Sequence, residues 1–122
     1  MADTLEVKDP KLTNHAGINI TTAGNYTAIS SGTGLEYTWE GCAGILLKNG
    51  HVSASRNFTF VVPVPAGSSL GDIGSTPSSK VYSVAAGETQ YVRNADSFRD
   101  PTTGKGEFDV NGADCSALGI SY

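Results

Sequence analysis

Residues 44–62 read GILLKNGHVSASRNFTFVV and contain the two most apolar runs of the chain, Ile45-Leu46-Leu47 and Phe58-Thr59-Phe60-Val61-Val62. Between them lies Asn49-Gly50, a strong turn signal, followed by small polar residues. Two short runs rich in β-branched and aromatic residues, joined by a polar connection, predict an antiparallel hairpin. In the second run Phe58, Phe60 and Val62 fall on one face and Asn57, Thr59 and Val61 on the other. Alternation of this kind marks a strand with one face against a core. The stretch is therefore expected at the centre of a β core.

Working outward, the same grammar repeats. Leu35, Tyr37 and Trp39 alternate with Glu36, Thr38 and Glu40. Trp39, the single tryptophan, is expected to anchor the core rather than to form a ligand platform. Ile18–Thr22 and Tyr26–Ile29 flank the turn signal Ala23-Gly24-Asn25 and are expected to pair. Lys80–Ala85 and Glu88–Arg93 flank Ala86-Gly87 and are read as a second hairpin. Glu107–Val110, the turn Asn111-Gly112, and the spacing of Leu118, Ile120 and Tyr122 complete the series. About nine short strands at this turn spacing predict an all-β fold, a single-domain antiparallel β-sandwich of jelly-roll-like type. No stretch carries an extended helical period. Residues 1–16 show alternating charge, Pro10 and no apolar period, so they are expected as an extended N-terminal arm, mobile or laid along a neighbouring subunit. Residues 17–122 form the sandwich domain. The long segment Ala66–Ser79, AGSSLGDIGSTPSS, is bare of aromatics and is expected as a contact loop.

Composition excludes several classes of function. The chain has 122 residues, eight Lys and Arg against twelve Asp and Glu, and a net charge of −4. The basic residues are scattered, whereas nucleic-acid binding needs them gathered to neutralise phosphates. No apolar run approaches the ~20 residues of a membrane span, and the opening MADTLEVKDP lacks the apolar centre of a signal peptide. Neither a nucleic-acid nor a membrane role is expected. Folding in a cytosol, with Cys42 and Cys115 reduced, is the corresponding expectation.

No catalytic constellation is expected from the sequence. His15 and His51 are the two histidines, and neither lies in a nucleophile motif. The acids Asp96, Asp100, Glu107, Asp109 and Asp114 alternate with apolar residues or sit at turns. The run Asp109–Asp114 offers oxygen ligands in calcium-loop outline, but Ile120 stands where an EF-hand needs its closing acid. There is no phosphate-binding loop, no dinucleotide fingerprint and no C-x-x-C. The chain is read as no enzyme, without cofactor or metal.

The C-terminal half then supplies a resemblance. VYSVAAGETQYVR, DSFRDPTTGKGEFDV and ALGISY, with NITTAGNYTA and the I-L-L-x-N strand earlier, resemble a family of small virion proteins of tailed bacteriophages. The resemblance runs from about Ile18 to Tyr122. It implies a capsid decoration, or cement, protein that binds the outer surface of a phage head and links its subunits. The implied partner is the major capsid protein, the implied state a homo-oligomer, trimer or dimer, and the implied location the virion surface after assembly in the host cytoplasm. It also favours pairing Ile45–Lys48 with Asn57–Val62 across one wider loop, Asn49–Arg56.

On that reading the candidate contact residues are Asp3, Leu5, Val7, Lys11, Leu12 and His15 in the arm, Leu70, Asp72 and Ile73 in the long loop, and His51 and Arg56 in the wider loop. Two other readings stand beside it. One is a tail or head–tail component. The other is a carbohydrate-binding sandwich with Tyr37, Trp39, Tyr82 and Tyr91 as its platform.

Overall fold

A computed structural model describes residues 3–9, 18–63 and 78–122. Among these residues the chain is all-β, with ten strands: β1 (Asp3–Thr4), β2 (Val7–Lys8), β3 (Thr27–Ala28), β4 (Leu35–Thr38), β5 (Cys42–Asn49), β6 (Arg56–Val62), β7 (Ser78–Val84), β8 (Thr89–Arg93), β9 (Lys105–Val110) and β10 (Cys115–Ser121). They make two sheets. The first runs β1-β4-β9-β6-β7; the second runs β2-β10-β5-β8, with β3 also on β10. The sheets pack face to face as a sandwich, as the alternating patterns predict.

The core lies between them. The first sheet contributes Leu35 and Tyr37 from β4, Phe58 and Phe60 from β6, Val84 from β7, and Phe108 and Val110 from β9. The second contributes Cys42, Ile45 and Leu47 from β5, Val92 from β8, and Cys115 and Ala117 from β10. Membership of this core follows period two along each strand except at Cys42, where the β5–β10 register shifts between Ile120 and Ser121 and returns the thiol to the interior. On the opposite face of the second sheet Leu46 and its cross-strand partner Leu118 are buried as well. Phe60 is the hub of an aromatic cluster. It stacks on Phe108 at 4.5 Å and on Phe98 at 4.8 Å, and meets Tyr82 edge-on at 5.6 Å. Phe98 reaches it from a 3-10 turn, Asp96–Phe98, inside the polar excursion after β8. Gly106 is explained by its cross-strand partner Tyr37, for an added Cβ would lie 2.3 Å from the Tyr37 Cζ.

The strands pair differently from the expected hairpins. β5 pairs with β10 and β8, whereas β6 pairs with β7 and β9. The stretch at residues 44–62 is therefore a corner between the two sheets, and Ile45–Lys48 does not pair with Asn57–Val62. β7 and β8 likewise belong to opposite sheets, as do β9 and β10. The physical reason is common to all three. Each flanking run has one apolar face, and crossing to the opposite sheet points both faces at the same interior. Of the described strands adjacent in sequence, only β6 and β7 are paired neighbours. The expected strand at Ile18–Thr22 is irregular, with Ile20 exposed, and is followed by a 3-10 turn at Ala23–Asn25.

The expected free arm needs correction for residues 3–9. β1 adds in parallel to β4, and β2 adds in parallel to β10. Between them the chain steps from one sheet to the other, and Leu5 is buried in the core at 2% exposure. Its N–H donates to the Glu36 carbonyl. Short strands placed on two sheet edges satisfy backbone groups that would otherwise face solvent.

Candidate contact surface

One end of the sandwich is built around Asn49, the last residue of β5 and fully buried. A buried carboxamide needs partners for both its donor and its acceptor. Asn49 Nδ2 donates to the carbonyls of Ala54 at 2.8 Å and Val84 at 3.0 Å. Its Oδ1 accepts from the His51 N–H at 3.0 Å. Its backbone N–H donates to the Glu88 carbonyl, and its carbonyl accepts from the Gly87 N–H. One side chain thus ties together the β5–β6 corner and the β7–β8 corner. The third connection at this end, 111–114, joins through the Gly50 N–H, which donates to the Asp114 carbonyl at 2.9 Å.

The loop itself is fastened from within. His51 Nδ1 accepts from the Ser53 N–H at 3.1 Å and the Ala54 N–H at 2.9 Å. This leaves His51 half-buried as a turn-holding residue. Arg56 lies along Gly112, where a Cβ would come 2.3 Å from its Nε, and that Nε donates to the Ala113 carbonyl. At the tip, Val52 stands 93% exposed. An apolar side chain held out on a hydrogen-bonded loop loses little conformational entropy when a partner covers it.

Of the other expected contact residues, those that are described are not gathered at this end. Asp3 and Val7 lie in β1 and β2 at sheet edges, and Val7 is 36% exposed. Leu5 is interior and offers no surface. Lys11, Leu12, His15, Leu70, Asp72 and Ile73 lie outside the described residues. Val52 was missed at the sequence level because a single valine among small polar residues carries no periodic signal.

The aromatic residues considered as a sugar platform are not brought together. Tyr37 is fully buried, and its hydroxyl donates to Asn94 Oδ1 at 2.7 Å. Trp39 is half-buried, with Nε1 donating to the Ala95 carbonyl. Tyr82 packs on Phe60. Tyr91 alone is exposed, at 53%, lying over Gly44. Burial pushes the Tyr37 hydroxyl well above its ordinary value, with smaller contributions from Cys42 and Tyr82, so it stays a neutral donor.

Cys42 and Cys115 are free thiols, both buried. They sit at opposite ends of the β5–β10 ladder, Cys42 opposite Ser121 and Cys115 opposite Asn49. That separation is about 20 Å at strand rise, too far for a disulfide. Burial raises both thiols above their ordinary value; at Cys115 the neighbouring Arg56 opposes the shift and Asp114 adds to it. In the Asp109–Asp114 run the polar groups have local partners. Asp109 accepts from the Gly32 N–H and its own Val110 N–H, and Asn111 Oδ1 accepts from the Asn57 N–H. Among the described residues no group of three or more His, Cys, Asp or Glu converges as a metal site, and no helix is long and apolar enough to cross a membrane. Comparison with protein-family models, curated proteins and solved structures finds no match to this chain.

Proposed function

We propose that this chain is a structural virion protein that decorates the outside of a phage head and cements its shell, with the major capsid protein as its partner. The observation that supports the reading most is the hydrogen-bonded end around Asn49, which holds Val52 out at 93% exposure beside His51 and Arg56. A rigid projecting tip suits a protein whose work is to hold surfaces together. Its contact with a shell can be small, because many copies act on one particle and each stabilises only the assembled state. The Asn49 and His51 side chains at this end are engaged in holding the loop, which leaves the apolar Val52 as its projecting feature.

The test is occupancy on heads. Purified protein is mixed with heads lacking it, and bound copies are counted after sedimentation and located by cryo-microscopy. The wild-type chain is expected at regular positions on the outer surface. Val52→Asp removes an apolar contact worth about 1.5–3 kcal/mol and places a charge there, so half-saturation is expected at a concentration about tenfold or more higher. Because the side chain is exposed, the free variant keeps its unfolding midpoint. Absence of the wild-type protein from particles overturns the proposal. Full occupancy by Val52→Asp moves the contact elsewhere on the molecule.

A further inference from the structure

The chain holds two Asn-Gly pairs, Asn49-Gly50 and Asn111-Gly112, both at the end of the sandwich built around Asn49. A glycine after an asparagine leaves its backbone nitrogen open to approach, since no Cβ shields it. That nitrogen can attack the carbonyl carbon of the preceding carboxamide, one reason asparagine is thermally labile. The fold treats the two pairs oppositely. Asn49 is fully buried, and its Nδ2 is held by the carbonyls of Ala54 and Val84. The attacking group is held too, because the Gly50 N–H donates to the Asp114 carbonyl at 2.9 Å. Reaction there would break all three hydrogen bonds in a site closed to water. Asn111 is exposed. Among the described residues neither its Nδ2, the group that must leave, nor the Gly112 N–H, the group that must attack, has a hydrogen-bond partner. Its Oδ1 accepts from the Asn57 N–H at 2.9 Å, which draws electron density from Cγ and is placed to hold negative charge on that oxygen.

We propose that Asn111 is a site of spontaneous modification, deamidation through a succinimide, and that the fold protects Asn49 from the same reaction. The Gly112 nitrogen gives its proton to a solvent base and forms a bond to Asn111 Cγ. The Cγ–Nδ2 bond then breaks, and Nδ2 takes a proton from water and leaves as ammonia. Water next adds to one of the two carbonyls of the five-membered ring and opens it. Opening at the backbone carbonyl leaves isoaspartate, with the chain running through the former side-chain carbonyl. Opening at the other carbonyl leaves aspartate and the ordinary chain. No group is oxidised or reduced. Either product puts a negative charge one residue from Gly112, the glycine along which Arg56 lies. The end of the sandwich that carries Val52 therefore changes its charge with age.

The inference concerns the free protein and stands whether or not the protein binds heads. The purified chain is incubated just above neutral pH, folded in buffer and, in parallel, unfolded in guanidinium chloride. Samples taken over time are digested, and the peptides carrying Asn49 and Asn111 are followed by mass spectrometry. In the unfolded chain both are expected to convert at similar rates. In the folded chain the Asn111 peptide is expected to convert into two acidic forms, aspartate and isoaspartate, while the Asn49 peptide keeps its amide. Because Asn49 can react only when its corner opens, the ratio of the two rates is expected to rise roughly tenfold or more on folding. An Asn111 peptide that keeps its amide in the folded chain over the time it converts in the unfolded one overturns the proposal. So does an Asn49 peptide that converts as fast as Asn111 in the folded chain.

Discussion

Two Asn-Gly pairs illustrate what a residue signal means and where it misleads. Asn49-Gly50 suggested a tight turn, which would need positive φ at its centre. Neither Gly50 nor Gly112 has positive φ; near the second pair it is Asp114 that does, at 67°. Gly50 is small for another reason, since a Cβ there would come 2.8 Å from the Asp114 carbonyl. Asn49 is a buried tie between corners, a role its pairing with glycine disguised. Asn49→Ala leaves the Ala54 and Val84 carbonyls and the His51 N–H without their partner. The expected loss is about 1–3 kcal/mol, read as a lower urea midpoint at unchanged slope. A second residue-scale prediction concerns alkali. Tyr37 and Cys42 are raised by burial above their ordinary values of 10.0 and 9.0. Between the unfolded and folded values the unfolded chain has already released the proton and the folded chain has not, so stability falls as pH rises. Urea midpoints are expected to be insensitive to these groups at neutral pH and to decline once pH passes the ordinary thiol and phenol values. A midpoint that holds through that range would count against burial of these groups.

At the scale of elements, the strands themselves were largely legible. Leu35–Glu40, Phe58–Val62 and Glu107–Val110 carry period two, because a strand with one buried face must alternate. At the C-terminal end the expected period of Leu118, Ile120 and Tyr122 falls on the opposite face, and Cys115 and Ala117 fill the core instead. Strands too short to show a period were not legible. β1, β2 and β3 have two residues each, and their formation depends on the edges of β4 and β10 that they join. Leu5 is the clearest case. In sequence it is one apolar residue in a charged segment; in the fold it fills the space where the chain steps between sheets. Leu5→Ala is expected to destabilise by about 2–5 kcal/mol, measured by urea unfolding. The same substitution on a free arm would leave the midpoint unchanged, which makes the comparison decisive. Phe98 was hidden for a similar reason, since its single apolar side chain reaches Phe60 from a polar excursion.

For the whole molecule, crossing between sheets is the organising fact. Because β4 to β5, β5 to β6, β7 to β8, β8 to β9 and β9 to β10 each change sheet, neither sheet can assemble ahead of the other from neighbours in sequence. Unfolding is therefore expected as one cooperative transition, with Trp39 fluorescence and far-ultraviolet circular dichroism tracing the same urea curve. Two separated curves would show that one sheet survives alone. Folding is expected in milliseconds to seconds, the range for sandwiches built on distant pairings. The contact surface follows from the same topology, since Asn49, Val84, Glu88 and Asp114 meet only after four strands have crossed. The sequence by itself determined the all-β class, the alternating faces and most of the core, because burial of one face per strand is a local pattern. Only the tertiary structure decided which strands pair, where residues 3–9 lie and how the loop at 49–56 is held. Those depend on edges and carbonyls supplied by segments far apart in the chain, and no local period records them.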